Sequence, residues 1–306
     1  MTKALVAALL IIAFLLPISA QDTSEPTFKV DVKLVNVYVT VTDQQGAPIG
    51  NLAKDDFSLN EDGVPQRISV FSKESQLPLS IVLAVDTSSS TRKDIRLELE
   101  AARQFIHSII RPQDAVSLYA FASDVSEMVT FTSKLHQIDS AINQVQVGGA
   151  TSLYDAIYLG SKALMKREGR KVLVLITDGG DTSSAVDYKE ALRAAQQSEA
   201  LVYSLIDVPV EASAGRNTGG EHALIQISND TGGKYYYAAN ISQLEKAFEQ
   251  ISDELRTQYL LAYYPVPRRA ASDFRQIDVA AHPHASASTT DLVVRARRGY
   301  YTSKLE

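Results

Sequence analysis

The sequence predicts an α/β protein: a doubly wound, mostly parallel sheet of about six strands, with a second, smaller β domain built from the segments on either side of it. Three observations carry this. Two apolar runs, Ile81–Val85 and Val172–Ile176, are short, rich in β-branched residues and free of alternation, the pattern of strands buried on both faces. Between Leu77 and Arg256 such runs alternate with segments whose apolar residues recur at helical spacing. Outside that span the chain instead alternates apolar and polar residues, as half-buried strands do.

In chain order, Lys3 precedes an unbroken apolar run from Ala4 to Leu16, followed by Pro17 and Ile18-Ser19-Ala20. Residues 1–20 therefore read as a secretory signal cleaved near Ala20, too short for a comfortable membrane span. Residues 27–75 form an N-terminal β segment. Apolar positions alternate from Phe28 to Val41, with a shift of phase near Val35-Asn36 that suggests a bulge, and two more short strands flank a Glu61-Asp62-Gly63 turn. Asp55, Asp56, Glu61 and Asp62 lack the spacing of a calcium loop and read as turn residues.

The segment 77–256 then opens with the strand at 81–85 and a helix marked by Ile95, Leu99, Ala102, Ile106 and Ile109. Strands at 115–122 and 126–131 are too close for a crossover helix, so they predict an antiparallel edge hairpin. Leu135, Ile138, Ile142 and Val145 mark a helix, and Leu153, Ala156, Ile157 and Leu164 another. After the strand at 172–176 come a helix at Tyr188–Gln197, a strand at Leu201–Ile206 and a helix around Glu221–Ser228. An edge strand at Lys234–Tyr237 and a closing helix from Ile241 to Arg256 end the series. Residues 258–303 return to β character, with three strands in QYLLAYYPV, FRQIDVAAH and DLVVRARRGYY. So few short strands rarely fold unaided, so this C-terminal segment is expected to pack with 27–75. Arg268, Arg269, Arg295, Arg297 and Arg298 read as a solvated basic face.

The chemistry gathers where strands end. Asp86, Ser88 and Ser90 sit on a strand-to-helix turn at the carboxyl end of a central strand, where open α/β sheets bind ligands. A carboxylate and two hydroxyls are hard donors suited to Mg²⁺, Mn²⁺ or Ca²⁺. The same residue types are also the usual helix caps, and this stretch alone does not separate the two readings. Two later stretches do. In VGGATSLYDAI a glycine pair leads to Thr151, and in KVLVLITDGG a buried strand ends in Thr177-Asp178-Gly179. D-x-S-x-S, a loop threonine and a strand ending in T-D-G, in that order, resemble the metal-ion-dependent adhesion site (MIDAS) of the von Willebrand factor type A family. The resemblance implies that Asp86, Ser88, Ser90, Thr151 and Asp178 hold one Mg²⁺ (or Mn²⁺ or Ca²⁺). It implies that the hydroxyls touch the ion, while the carboxylates act directly or through water. Asp181, three residues after Asp178, reads as a helix cap, with a supporting partner of the metal ligands as the alternative. The pattern V-T-D…D-F…E-D-G…Q near the N-terminus and the closing Arg-Gly-Tyr-Tyr resemble exported type A-related proteins common in acidobacteria.

Composition narrows the function. A chain of 306 residues with net charge −6 lacks the basic field that nucleic acid requires. It has no cysteine, hence neither disulfides nor a thiol nucleophile. The hydrolase elbow G-x-S-x-G is absent. Asp86 is followed two residues on by Ser88 rather than by the second aspartate of an aspartyl-phosphate phosphatase. The five histidines are scattered, and His282 and His284 read as a solvated turn. The expectation is therefore not an enzyme but an exported adhesion or protein-binding module, secreted or periplasmic. Two acidic ligands would leave the ion electrophilic enough to take an Asp or Glu carboxylate from a partner protein. The alternative is a structural or assembly protein of the cell envelope whose ion only stabilises its loops.

Overall fold

The computed structural model describes residues 34–73, 77–89, 91, 95–207, 218–266, 273–282 and 292–303. The signal at 1–20, the start of the first predicted strand, Ser90, Arg268, Arg269 and His284 lie outside them. The elements begin with β1 (Val35–Thr42), β2 (Phe57–Glu61), β3 (Val64–Pro65) and β4 (Val70–Lys73). An alternating series follows: β5 (Leu79–Asp86), α1 (Ile95–Ile109), β6 (Ala115–Phe121), β7 (Val125–Thr132), α2 (Leu135–Ile142) and α3 (Leu153–Met165). It continues with β8 (Arg170–Thr177), α4 (Tyr188–Ser198), β9 (Leu201–Asp207), α5 (Thr218–Thr231), β10 (Lys234–Ala238) and α6 (Ile241–Thr257). Strands β11 (Tyr259–Tyr263), β12 (Phe274–Ala281), β13 (Val293–Ala296) and β14 (Gly299–Tyr301) close the chain.

The alternating series forms one six-stranded sheet in the order β10-β9-β8-β5-β6-β7. Every pairing in it is parallel except β6 with β7, the predicted edge hairpin. All eight residues of β5 are buried, because successive side chains feed two different cores. Ile81, Leu83 and Val85 pack under α1, α2 and α6, where Phe105 stacks on Phe248 at 4.6 Å. Val82 and Ala84 pack under α3, α4 and α5. An apolar run without alternation is what such a two-faced strand requires.

The flanking segments pair with each other. Strand β1 lies between β11 and β13 in the antiparallel sheet β13-β1-β11-β4, with Val37 opposite Leu261 and Val41 opposite Val294. Strand β12 pairs with β2 in a second sheet, β14-β12-β2-β3. Val37, Val39, Leu59, Tyr259, Leu261 and Ile277 bury themselves in one core between the two sheets.

Three expectations are corrected here. The run after Glu61-Asp62-Gly63 is two strands, not one. The edge strand β3 ends just past Pro65, where the Gln66 N–H still donates to the Leu59 carbonyl at 2.8 Å, and β4 then pairs with β11 in the other sheet. The last run, 291–301, likewise splits into β13 and β14, one in each sheet. The third concerns the basic face. Arg295 Nη2 lies 2.6 Å from the buried Glu254 on α6, and Arg297 is 7 % exposed. Of the three arginines of that face among the described residues, the Arg298 side chain, 63 % exposed, is solvated as predicted. Charge reads as surface in a sequence, but β13 turns Arg295 against Glu254 of α6 and the Gly233 carbonyl, while Arg297 donates to the Asn36 carbonyl of β1 and pairs with Glu199 at 3.3 Å. Among the described residues no helix is long and apolar enough to cross a membrane.

Candidate metal centre

Strands β5 and β8 run parallel as neighbours through Val85 and Ile176, so Asp86 and the Thr177-Asp178 turn leave the sheet side by side. Asp86 is fully buried. Its Oδ1 accepts the Ser88 N–H at 2.9 Å and its Oδ2 accepts the Thr177 hydroxyl at 2.7 Å. Burial pushes the Asp86 carboxyl above the usual carboxylate range. The bonds from Ser88 and Thr177 oppose that, and the neighbouring charge of Asp178 adds to it. The Thr91 hydroxyl lies 3.1 Å from the carbonyl oxygens of both Asp86 and Ser88, tying the turn into a tight loop that holds Ser88 buried. The Ile95 N–H then bonds to the Thr91 carbonyl at the start of α1.

The loop carrying Thr151 is laid against this turn. Gly148 N–H donates to the Thr87 carbonyl at 2.7 Å, and Ser89 N–H donates to the Gly149 carbonyl at 3.0 Å. A Cβ on Gly148 would sit 2.3 Å from that of Ala122, so the approach demands glycine. On its other side the loop meets the segment following Asp178. Thr151 N–H donates to the Thr182 hydroxyl at 2.8 Å, and Thr182 N–H donates to the Thr151 carbonyl at 2.8 Å. Asp181 accepts the Tyr154 N–H at 3.2 Å, so it caps α3, the helix that the Thr151 loop begins.

The structure thus gathers Asp86, Ser88 and Asp178 at the carboxyl end of the sheet, with the Thr151 loop bonded to both turns; Ser90 is outside the described residues. Among the described residues no group of three or more His, Asp or Glu side chains could hold a metal. A cation here would depend on hydroxyls as well as carboxylates, and the oxygen-only set of two aspartates, Ser88 and Thr151 fits a hard dication. Sequence reasoning quoted Thr177 without giving it a role, although a hydroxyl at a strand end beside two aspartates was a readable sign. Thr91 and Thr182 gave no such sign, since the first bonds to main-chain carbonyls of its own turn and the second to a loop 31 residues away. His107 pairs with Asp139 at 2.9 Å on the surface of α1 and α2 and takes no part.

Residues 81–180, from β5 to the turn after Asp178, match the family model of the von Willebrand factor type A domain. Among solved structures, a von Willebrand factor type A protein from Catenulispora acidiphila superposes with a TM-score of 0.52 at 10% identity, over 89% of this chain and 75% of that one. The pilus adhesin SpaC from Lactobacillus rhamnosus GG gives 0.50 at 12% identity, over 85% of this chain and 48% of that one. The PilB minor pilin from Streptococcus sanguinis gives 0.48 at 15% identity; the match covers 60% of this chain and 62% of the pilin, less than two thirds of its length. No curated protein matches. The six-stranded sheet with helices on both faces has the fold typical of von Willebrand factor type A domains.

Proposed function

We propose that the protein is an exported binding module, not an enzyme, that captures an Asp or Glu carboxylate of a partner protein through one divalent cation, Mg²⁺, Mn²⁺ or Ca²⁺. Asp86, Ser88, Ser90, Thr151 and Asp178 would hold the ion. The observation that carries this is the pairing of two aspartates on adjacent strand ends, with Ser88 buried beside one and the Thr151 loop bonded to both turns. When bound, the ion supplies a Lewis-acidic position for a further anionic oxygen. The residues around it set that character: two carboxylates can neutralise a dication only once, and the remaining donors are neutral hydroxyls. Both oxygens of Asp86 already accept bonds from Ser88 and Thr177, which suits that carboxylate to orienting a water. SpaC, whose fold this chain shares, is a pilus adhesin; the proposal places this chain in the same broad class on its own residues.

An ion serving only to stabilise loops has less to do here, since the three turns are already joined by direct hydrogen bonds. The test is capture of partners from envelope extract by the full chain, with Mg²⁺ and then with chelator. Specific partners should appear with metal and be lost with chelator and in Asp86→Ala. Equal capture without metal, by a folded variant, would overturn the proposal.

A further inference from the structure

We infer that Thr182 is a positioning residue for the metal centre, holding the backbone of Thr151 so that the Thr151 hydroxyl is presented to the ion; this rests on the reading above. Both main-chain polar groups of Thr151 are committed to the segment that follows Asp178. Its N–H donates to Thr182 Oγ1 at 2.8 Å, and its carbonyl accepts the N–H groups of Thr182 at 2.8 Å and Ser183 at 3.1 Å. Peptide groups fixed on both sides of one Cα leave that residue little freedom in φ or ψ, so the direction of its side chain is set from outside its own loop. Thr151 is 6 % exposed, and without the Thr182 hydroxyl its N–H would have to find another partner or go without.

The arm that does the holding is itself anchored. Ser184 accepts the Asp155 N–H at 3.0 Å, and the Asp155 carboxylate accepts the N–H groups of Ala185 and Val186 at 3.0 Å. Ser152 and Ser183 add a hydroxyl contact at 2.9 Å. One segment thus carries Asp178 at its start and grips Thr151 four residues later, so two of the proposed ligands are set by the same piece of chain. Thr182 is exposed, so its replacement leaves both cores of the sheet untouched.

The experiment is calorimetric titration of the full chain with Mn²⁺, comparing the parent with Thr182→Val, Thr182→Ser, Thr151→Ala and the double variant. Thr182→Val should weaken Mn²⁺ binding roughly ten- to a hundredfold, the range for residues that orient a ligand. Thr182→Ser, which keeps the hydroxyl, should bind as the parent does. In the Thr151→Ala background Thr182→Val should cost nothing further, because its effect runs through Thr151. Should Thr182→Val not fold, Thr182→Ala removes the same acceptor with less bulk. Parental affinity in the valine or alanine variant would overturn the inference, as would a full additional loss in the double variant. A parent that binds no Mn²⁺ would instead sink the metal reading itself.

Discussion

A carboxylate taken out of water is costly unless its charge is met, and Asp86 meets its own only in part, through Ser88 and Thr177. A dication beside it would favour the ionised form and return some of that cost. Mg²⁺ should therefore raise the melting temperature of the parent, by about 2.7 kcal/mol of added stability at a hundred times the dissociation constant. Differential scanning fluorimetry should show no such rise in Asp86→Ala; an equal rise in both would remove Asp86 from the site. At Gly220 the same centre depends on close packing. A Cβ there would lie 1.2 Å from the Gly179 carbonyl oxygen, so the start of α5 can abut the Asp178 turn only without a side chain. Gly220→Ala should displace that turn and weaken Mn²⁺ binding at least tenfold; unchanged affinity would show the turn to be indifferent to α5. These residues differ in how well they could be read. Asp86, Ser88, Thr151 and Asp178 stood out because each ends a recognisable strand or glycine turn. Gly220 and Thr182 act across loops distant in sequence, and no local pattern marks them.

Elements were legible where a single periodicity held. Strand β5 and helix α1 fall where the apolar spacing places them, because one face or two faces of a core impose that spacing. Legibility failed where one apolar run serves two sheets, as at β3 and β4 or at β13 and β14, since the pattern does not change when the chain changes partner. Helix α6 falls where the spacing places it, but the burial of its Glu254 was not legible. Glu254, in the last turns of that helix, is 1 % exposed and meets Arg295 at 2.6 Å, Lys234 at 3.6 Å and the Tyr203 hydroxyl at 3.2 Å. Arg170 reaches the same helix end, bonding to the Leu255 carbonyl and to Gln258. So β13 is fastened to α6 by a buried ion pair. Removing one partner of a buried pair costs about 3 to 5 kcal/mol where the other charge is left uncompensated. Without Arg295 the buried Glu254 keeps, among the described residues, only Lys234 at 3.6 Å and tyrosine hydroxyls. Arg295→Ala should lower stability by that order in chemical denaturation, while Arg298→Ala, at a solvated position, should change it by less than about 1 kcal/mol. Similar losses in both would mean that the buried pair contributes no more than a surface one.

At the scale of the whole molecule, buried tyrosines and paired sheets make stability depend on parts far apart in sequence. Burial raises the pKa of Tyr203 and Tyr236, which share Glu254, and of Tyr263 and Tyr300, which share Glu61; Tyr119 is pushed up to about 12. A tyrosine with a raised folded pKa keeps its proton after its unfolded counterpart has lost it. Stability should therefore hold below about pH 10 and fall as pH rises beyond it. The share of phenolate absorbance that belongs to these buried tyrosines should then appear in step with unfolding, after that of exposed ones such as Tyr264, and full titration of a still-folded chain would contradict this. The flanking strands make the larger commitment. Strand β1 has β11 and β13 as its two neighbours, β4 pairs with β11, and β2 pairs with β12. Cutting the chain after Thr257 would leave 35–73, among the described residues, with only the short β2–β3 pairing and the Thr42–Pro48 bridge. Val37 and Val39, fully buried in the intact chain, would face water, at roughly 1.5–3 kcal/mol for each side chain. A two-stranded remnant does not withstand that. Limited proteolysis of the truncated chain should cut first within 35–73, at sites protected in the full-length protein. If that segment resisted protease as well as before, β1 would owe its order to the central sheet and not to the C-terminal strands.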